Sequence, residues 1–374
     1  MRIGADTFTV AGNGLGQNLV YTYAAGGVTS TVVNNAAVIF PPVPVGQSST
    51  LTFQITNNGT SAGSINSISV GATPATAAAV FTLSRLPSLP VSIPPGGSVS
   101  FTATFSPTLV GNAAGILRVD TVSFPVSAVG NTPAALPNYT FTGASGAQEP
   151  AQQVATGITL ASAYPLSLSG TLTLAFNSDV FSNDPAVQFA TGGRTVSFVI
   201  PAGATQAVFP NNSNQIRLQT GTVAGVITLT PSFLTDGGIN LTPTVPPALS
   251  LSVAQSVPRV LSVQVGSKTA NSLTLLVTGF ATGRGITQID LQFTPVSGET
   301  LGSARVSVNV ESTFSAYFQS SASQAFGSQF TATLPFTLAG EVKNVSTITE
   351  ALQSVSVTLI NRQGTSAARS VDLK

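Results

Sequence analysis

Apolar and polar residues alternate along most of the chain, and a period of two is typical of β-strands that bury one face. The stretches 51–55 (LTFQI) and 99–105 (VSFTATF) are clear examples. Turn signals such as Gly192-Gly193 separate these stretches from one another. The pattern predicts an all-β protein that is built from tandem β-sandwich domains.

Proline clusters mark the boundaries between the predicted domains, because repeated proline stiffens a connection and prevents strand pairing. One cluster lies at 133–137 and another at 243–247, which is followed by Pro258. We therefore expect an N-terminal strand arm and linker and then three sandwiches, with the boundaries 1–35, 36–131, 132–255 and 256–374.

One segment departs from the strand pattern. In residues 312–325, Phe314 and Phe318 are four positions apart, which is the spacing of neighbours on one helix face. A short helix and a loop with aromatic anchors fit these residues equally well. Phe314, Tyr317 and Phe318 form a candidate ligand platform if their faces are exposed, and packing in a core is the favoured alternative for the same side chains.

The composition removes most catalytic chemistry. The 374 residues include no His, no Cys and no Trp. Without His and Cys, the chain lacks the usual general base near neutral pH, the thiolate nucleophile and the most common metal ligands. We predict no enzymatic activity, no cofactor and no metal site.

Paired carboxylates are the catalytic apparatus that the composition still permits, and Asp179 and Asp184 are the nearest pair in sequence. A glycosidase holds such a pair at a defined separation across a cleft. These two lie among Asn, Ser and Pro residues, which is typical of a turn whose Asp side chains cap backbone groups. We interpret both as turn residues.

The charge balance bears on partners and on location. Lys and Arg number 13 against 12 Asp and Glu, for a net charge of +1. The basic residues form no run, so we predict no nucleic-acid partner. The apolar stretches are shorter than the roughly 20 residues that span a bilayer, so we predict no membrane span. Weak charge repulsion leaves self-association little opposed, and the abundance of Ser, Thr, Gly and Asn favours an extracellular or cell-surface location.

Four segments between residues 38 and 108 follow one another in a recognisable order: VIFPPVPVG (38–46), LTFQITNNGT (51–60), IPPGGSVSF (93–101) and FSPT (105–108). They resemble the abnormal-spindle/hydin type of immunoglobulin-like domain, whose bacterial members are often labelled choice-of-anchor D modules. The resemblance implies a seven-strand sandwich that serves as an interaction or spacer module, and it carries over no catalytic residue. Residues 139–242 and 257–373 resemble, more distantly, regions that accompany such modules in secreted, acidobacterial-type proteins.

The leading segment has an unusual sequence. Residues 2–13 (RIGADTFTVAGN) read like residues 118–131 (RVDTVSFPVSAVGN), and Phe8 and Val10 match two apolar residues on one face of that strand. A lone strand with an apolar face needs a sheet to join. Three interpretations stay open: the remnant of a further sandwich in a longer protein, a strand donated to the next copy, or a segment that folds back onto its own chain.

These expectations lead to a structural role with a leading unpaired strand arm. We predict an extracellular structural protein, a subunit of a cell-surface filament or fibre assembled head-to-tail by donor-strand β-augmentation. The partner is another copy, and Ile3, Phe8 and Val10 form the intersubunit strand. The alternatives are a monomeric adhesion or carbohydrate-binding module that meets a surface polysaccharide, and a fragment of a larger secreted tandem-repeat protein. Candidate glycan acceptors follow the Asn-x-Ser/Thr pattern: Asn58, Asn138, Asn211, Asn240 and Asn344.

Overall fold

The regular secondary structure of the described residues is almost entirely β-strand, and the helices are short. The computed structural model describes residues 2–7, 9, 16–74, 80–180 and 182–374. The chain forms two compact units, Met1–Ala135 and Leu136–Lys374. None of the helices in the described ranges is long and apolar enough to cross a membrane.

The first unit contains one sandwich. The strands of this unit are β1 (Arg2–Ile3), β2 (Asp6–Thr7), β3 (Leu19–Ala25), β4 (Val28–Val32), β5 (Val38–Ile39), β6 (Val43–Pro44), β7 (Ser49–Asn57), β8 (Gly63–Ile65), β9 (Ile68–Ala72), β10 (Phe81–Ser84), β11 (Val91–Ile93), β12 (Ser98–Phe105), β13 (Gly111–Val119) and β14 (Val122–Asn131). One sheet has the order β10-β12-β7-β3-β4, and the other has the order β5-β14-β13-β9. Alternate side chains of both sheets, including Phe53, Phe101 and Phe124, form one core.

The first sandwich begins earlier than the predicted boundary at residue 36. Strand β3 pairs with β7, and β4 pairs with β3, so residues 19–32 extend the five-stranded sheet. The ring of Tyr21 also packs against Phe124 in the core, with 5.4 Å between the ring centroids. The apolar face of β3 explains this position, because it is covered when the strand lies beside β7.

The leading segment begins as a hairpin. Strands β1 and β2 pair antiparallel, with Ile3 opposite Asp6, and Gly4 takes a positive φ of 63° in the turn between them. Within the described residues this hairpin pairs with no strand of the sandwich. Of the predicted intersubunit residues, Ile3 lies in β1, and Phe8 and Val10 lie outside the described residues.

The second unit contains two sandwiches, each with its own core. Strands of the second sandwich are β15 (Tyr139–Gly143), β16 (Gly146–Gln148), β17 (Gln153–Leu160), β18 (Leu168–Ser178), β19 (Thr195–Ile200), β20 (Ile216–Gln219), β21 (Gly225–Thr235) and β22 (Leu249–Val253), with a 3₁₀ turn at Pro210–Asn212. Its sheets have the orders β15-β17-β20 and β16-β22-β21-β18-β19. Phe198 and Phe233 lie at the centre of its core.

The third sandwich includes the two α-helices. Its elements are β23 (Arg259–Lys268), β24 (Ser272–Phe280), β25 (Gln288–Pro295), β26 (Arg305–Asn309), α1 (Glu311–Gln319), α2 (Ser321–Gln324), β27 (Gln329–Thr337), a 3₁₀ turn at Ile348–Ala351, β28 (Leu352–Asn361), β29 (Gly364–Thr365) and β30 (Arg369–Asp372). One sheet has the order β23-β24-β27, and the other has β26-β25-β28 followed by β29 and β30. The predicted all-β architecture of tandem sandwiches is therefore confirmed.

Candidate functional site

The aromatic cluster that was a candidate ligand platform lies on helix α1. Phe314 and Phe318 are 6% and 7% exposed and belong to the core of the third sandwich. The ring of Phe314 meets that of Phe330 edge-on, with 4.6 Å between the centroids. Tyr317 is half-buried, and its hydroxyl donates to the carbonyl of Gln329 at 3.0 Å. Both phenylalanines thus pack in the core, and Phe314 and Tyr317 also line a cavity of about 250 Å³.

The two aspartates have different surroundings. Asp179 is exposed, whereas Asp184 is 1% exposed. Oδ2 of Asp184 accepts hydrogen bonds from the backbone N–H groups of Thr222 at 2.5 Å and Val223 at 3.0 Å. Oδ1 accepts one from the N–H of Ala186 at 2.9 Å. Asp184 therefore caps backbone groups, which agrees with its interpretation as a turn residue.

The Asp184 carboxylate lies where the second sandwich meets the third. The N–H of Ser328 donates to Oγ1 of Thr222 at 3.0 Å, and the hydroxyl of Ser328 donates to the carbonyl of Thr222 at 2.6 Å. The N–H of Ala224 donates to the carbonyl of Thr282 at 2.9 Å. Thr222, Thr282 and Ser328 are all buried. We call this contact the sandwich junction, and its buried hydrogen bonds join the two sandwiches of the second unit.

Two glycines allow the two segments at the junction to approach each other this closely. Gly327 has a φ of +62°, and a Cβ atom there would lie 2.7 Å from Oδ1 of Asp184 and 2.7 Å from Oγ1 of Thr222. Gly221 has a φ of +71°, and its Cβ would lie 2.5 Å from Oδ2 of Asp184. Any other residue would take a left-handed conformation and would also push the junction apart.

Arg284 holds the loop that follows helix α1 against the junction. Its guanidinium donates to the carbonyls of Gly327 and Phe318 and, at 2.8 Å, to the hydroxyl of Ser323. The charge also lies 5.0 Å from the centroid of the Phe318 ring. Burial lowers the pKa of Arg284 from its ordinary value, and the nearby Tyr317 and Asp184 oppose that change. An arginine remains charged under these conditions, so the loop is fixed by charge-assisted bonds.

The junction has the character of a structural contact. Its carboxylate, hydroxyl and guanidinium groups are each engaged in the bonds described above. Among the residues that the structure describes, no group of three or more His, Cys, Asp or Glu side chains could hold a metal ion. Residue types along the sequence pointed to Asp184 and not to Thr222, Gly327 or Ser328. No local pattern marks these three, because the contact joins positions 106 residues apart.

Comparison with known proteins yields similarity in fold. No protein-family model matches the sequence. No curated protein is similar to it. The solved structures that are similar include the Yersinia pseudotuberculosis adhesin InvE, which is 14% identical over 64% of this chain and 64% of that chain with a TM-score of 0.27. The chain thus spans slightly less than two thirds of the length of that adhesin structure.

Two further similar structures contain more than one domain. A structure of titin domains is 13% identical over 96% of this chain and 100% of that chain, with a TM-score of 0.26. A segment of two fibronectin type III domains from chicken tenascin is 10% identical over 64% of this chain and 99% of that chain, with a TM-score of 0.27. At these values the similarities support no conclusion about function. The strand orders and separate cores show that this chain is a tandem array of immunoglobulin-like β-sandwiches.

Proposed function

We propose that the chain is an extracellular structural protein, a subunit of a cell-surface filament or fibre whose copies join head-to-tail by β-strand addition. The observation that carries the structural role is the sandwich junction. It buries Asp184, Thr222 and Ser328 and holds two sandwiches in one compact unit. A fibre needs domains in fixed positions, and hydrogen bonds away from water hold such positions more firmly than solvated ones.

The composition supports the same role. A net charge of +1 on 374 residues opposes association between copies only weakly. A chain without Cys and His is inert to disulfide exchange and has little affinity for transition metals, which suits a durable protein outside the cell. The resemblance of residues 36–131 to abnormal-spindle/hydin-type spacer modules also supports this proposal.

The leading segment is the proposed joint between copies. The residues that follow β2 alternate threonine with Phe8 and Val10, so an extended conformation has one apolar face. Such a strand gains most when it pairs with a sheet and covers that face. When one copy donates this strand to the next, the contact is heterologous and does not close on itself, so repetition produces a filament.

Electron microscopy, combined with light scattering after size exclusion, tests the proposal on the full chain. We expect filaments with a regular axial repeat that lengthen with protein concentration. Phe8→Asp abolishes them, because a carboxylate buried in a sheet is strongly unfavourable. Thr9→Asp is the matched control, since the neighbouring side chain of an extended strand lies on the opposite face. A uniform species of one chain mass at every concentration would contradict the proposal, as would filaments that persist in Phe8→Asp.

The sugar-binding alternative has little support from the aromatic cluster. Phe314 and Phe318 are occupied by core packing, so Tyr317 alone keeps part of its ring accessible. Saturable polysaccharide binding by a chain that stays monomeric, lost on Tyr317→Ala, would favour an adhesion module over a structural subunit.

A further inference from the structure

One side of the third sandwich is open. Strand β27 pairs only with β24, and β26 pairs only with β25, among the residues that the structure describes. These two edge strands belong to different sheets, and one cavity is lined by both Val306 of β26 and Phe336 of β27, together with the loops 299–303 and 338–342. Residues 310–328, which contain helix α1, connect the two strands and cover part of this side. We call the uncovered part, between β26 and β27, the open side.

The open side exposes the edge of the core. Inward-facing apolar side chains on the two edge strands are only half-buried, namely Val306, Val308, Ala332, Leu334 and Phe336. A cavity of about 250 Å³ lies beside Phe330 and Leu334, and a second of about 520 Å³ lies beside Phe293 and Phe336. Additional apolar side chains would bury this surface and fill these cavities.

The second sandwich shares with the third the order of the three-stranded sheet and of four strands of the larger sheet, and there the corresponding side is filled. Strands β19 and β20 take the places of β26 and β27. A segment of the second sandwich's own chain pairs with the outer edge of β20, where the N–H of Gln219 donates to the carbonyl of Gln188 at 2.8 Å. Val187 and Phe189 of that segment are fully buried, and so are the inward side chains of β19 and β20. A short segment bridged to β20 thus covers this side of the second sandwich, and no segment among the described residues of the third sandwich pairs with the outer edge of β27.

Strand β27 has few of the features that keep an edge strand from recruiting a partner. Natural edges are usually short, charged or bulged. β27 has nine residues (QFTATLPFT) and carries no charge. Its pairing with β24 runs without a register shift, whereas β23, at the other edge of the same sheet, has two. Pro335 removes one backbone donor and leaves the remaining edge available for pairing.

We propose that the open side accepts residues 7–13 of a second copy, which add as a strand along β27. This inference rests on the proposed function, because it names the surface that head-to-tail assembly uses. The donor segment TFTVAGN is uncharged, as β27 is. Phe8 and Val10, on one face of an extended strand, supply the apolar side chains that the cavities lack.

Donor and acceptor lie on the same chain, and this makes continued growth feasible. The donor segment follows β2 near the start of the chain, and the acceptor is in the last sandwich. Each added copy therefore brings one unused acceptor and one unused donor segment. The contact is of the strand-addition kind, in which backbone bonds provide affinity and alternate side chains provide specificity.

Peptide binding tests the acceptor without requiring filaments. The probe is a synthetic peptide of residues 2–17, and the receptor is the full chain with Phe8→Asp, whose own segment is disabled. We expect saturable binding by calorimetry and no binding of a peptide with Phe8→Asp and Val10→Asp. Adding Leu334→Asp to the receptor should weaken binding at least tenfold. The control is Val199→Asp on β19, a position 44% exposed in the second sandwich, which should leave binding unchanged.

Disulfide trapping tests the second copy as occupant with variants that introduce no charge. The chain has no Cys, so a disulfide can form only between engineered positions. Chains with Val10→Cys, mixed with chains with Leu334→Cys under mild oxidation, should give a mixed dimer. The control partner carries Val226→Cys, a position 36% exposed in the second sandwich, and should give none.

The outcomes separate this inference from the proposed function. Filaments without peptide binding and without the mixed dimer would overturn this acceptor and leave the proposed function intact. Peptide binding that Leu334→Asp weakens, in a chain that never forms filaments, would support the acceptor and contradict filament assembly. A chain with both cysteines that closes the disulfide within itself at all concentrations would overturn the second copy as occupant.

Discussion

At Asp184, three backbone N–H groups converge on one buried carboxylate. Each of these donors would be without a partner if the carboxylate were removed, because the site is closed to solvent. A buried N–H group that loses its acceptor costs about 1–3 kcal/mol. The carboxylate thus stabilises the fold mainly through the groups that it satisfies.

Replacing Asp184 with alanine should therefore destabilise the second unit strongly. We expect Asp184→Ala to lower the free energy of unfolding by roughly 3 kcal/mol, measured by urea denaturation. Asp179→Ala, an exposed aspartate five positions earlier, is the control and should change it by less than about 0.5 kcal/mol. Equal effects of the two substitutions would show that the buried bonds contribute little.

Residue types and local spacing predicted part of this site. The Asn- and Ser-rich surroundings of Asp184 predict a capping role, and the spacing of Phe314 and Phe318 favours core packing. The partners of Asp184 could not be predicted, because Thr222 and Ser328 are ordinary polar residues until the fold brings them together. A single sequence contains no signal for such a long-range pair.

At the scale of elements, the turn before β27 determines how closely the two sandwiches approach. Gly327 lies in this turn with a positive φ and no room for a Cβ atom. Gly193 provides a comparison, because it also has a positive φ of 73° and nothing lies within 4 Å of its Cβ position. Both glycines have a positive φ, but only at Gly327 would a Cβ atom collide with neighbouring atoms.

This pair separates backbone strain from crowding. Gly193→Ala should lower the free energy of unfolding by about 1 kcal/mol, the usual cost of a left-handed conformation in a residue with a side chain. Gly327→Ala should cost about 2 kcal/mol more, since the methyl group also displaces the Asp184 carboxylate and the Thr222 hydroxyl. Thermal denaturation of both variants measures the difference. Equal losses would mean that the junction accommodates a methyl group.

Helix α1 illustrates what the pattern of residues could predict about elements. The spacing of Phe314 and Phe318 indicated a helix or an anchored loop within 312–325, and the structure has a helix over Glu311–Gln319. Its N-cap, Val310, provides no side-chain cap. Gly327, in the turn between the helices and β27, serves the junction. Tertiary contacts therefore set the ends of this element.

At the scale of the whole molecule, the alternation of apolar and polar residues was sufficient to predict sandwiches. It was insufficient to assign every strand to its sandwich. β3 and β4 are short and separated by Gly26-Gly27, so they resembled a linker, yet they extend the first sheet. The open side of the third sandwich has no sequence signal either. It is recognised only beside the second sandwich, whose corresponding strands show which position is left uncovered.

The junction also predicts how the molecule unfolds. If buried bonds couple the second and third sandwiches, hydrogen exchange should give core amides of both one common free energy of opening, as expected for a single cooperative unit. Thr222→Val removes the acceptor for the Ser328 N–H and should lower the opening free energy of the third sandwich by about 1–3 kcal/mol. Core amides of the first unit, which has its own core, are the internal control and should not change.

Separate opening free energies for the two sandwiches in the unmodified chain would show that the junction does not couple them. A common value that divides in two on Thr222→Val would identify the Thr222–Ser328 contact as the link that makes two domains unfold as one.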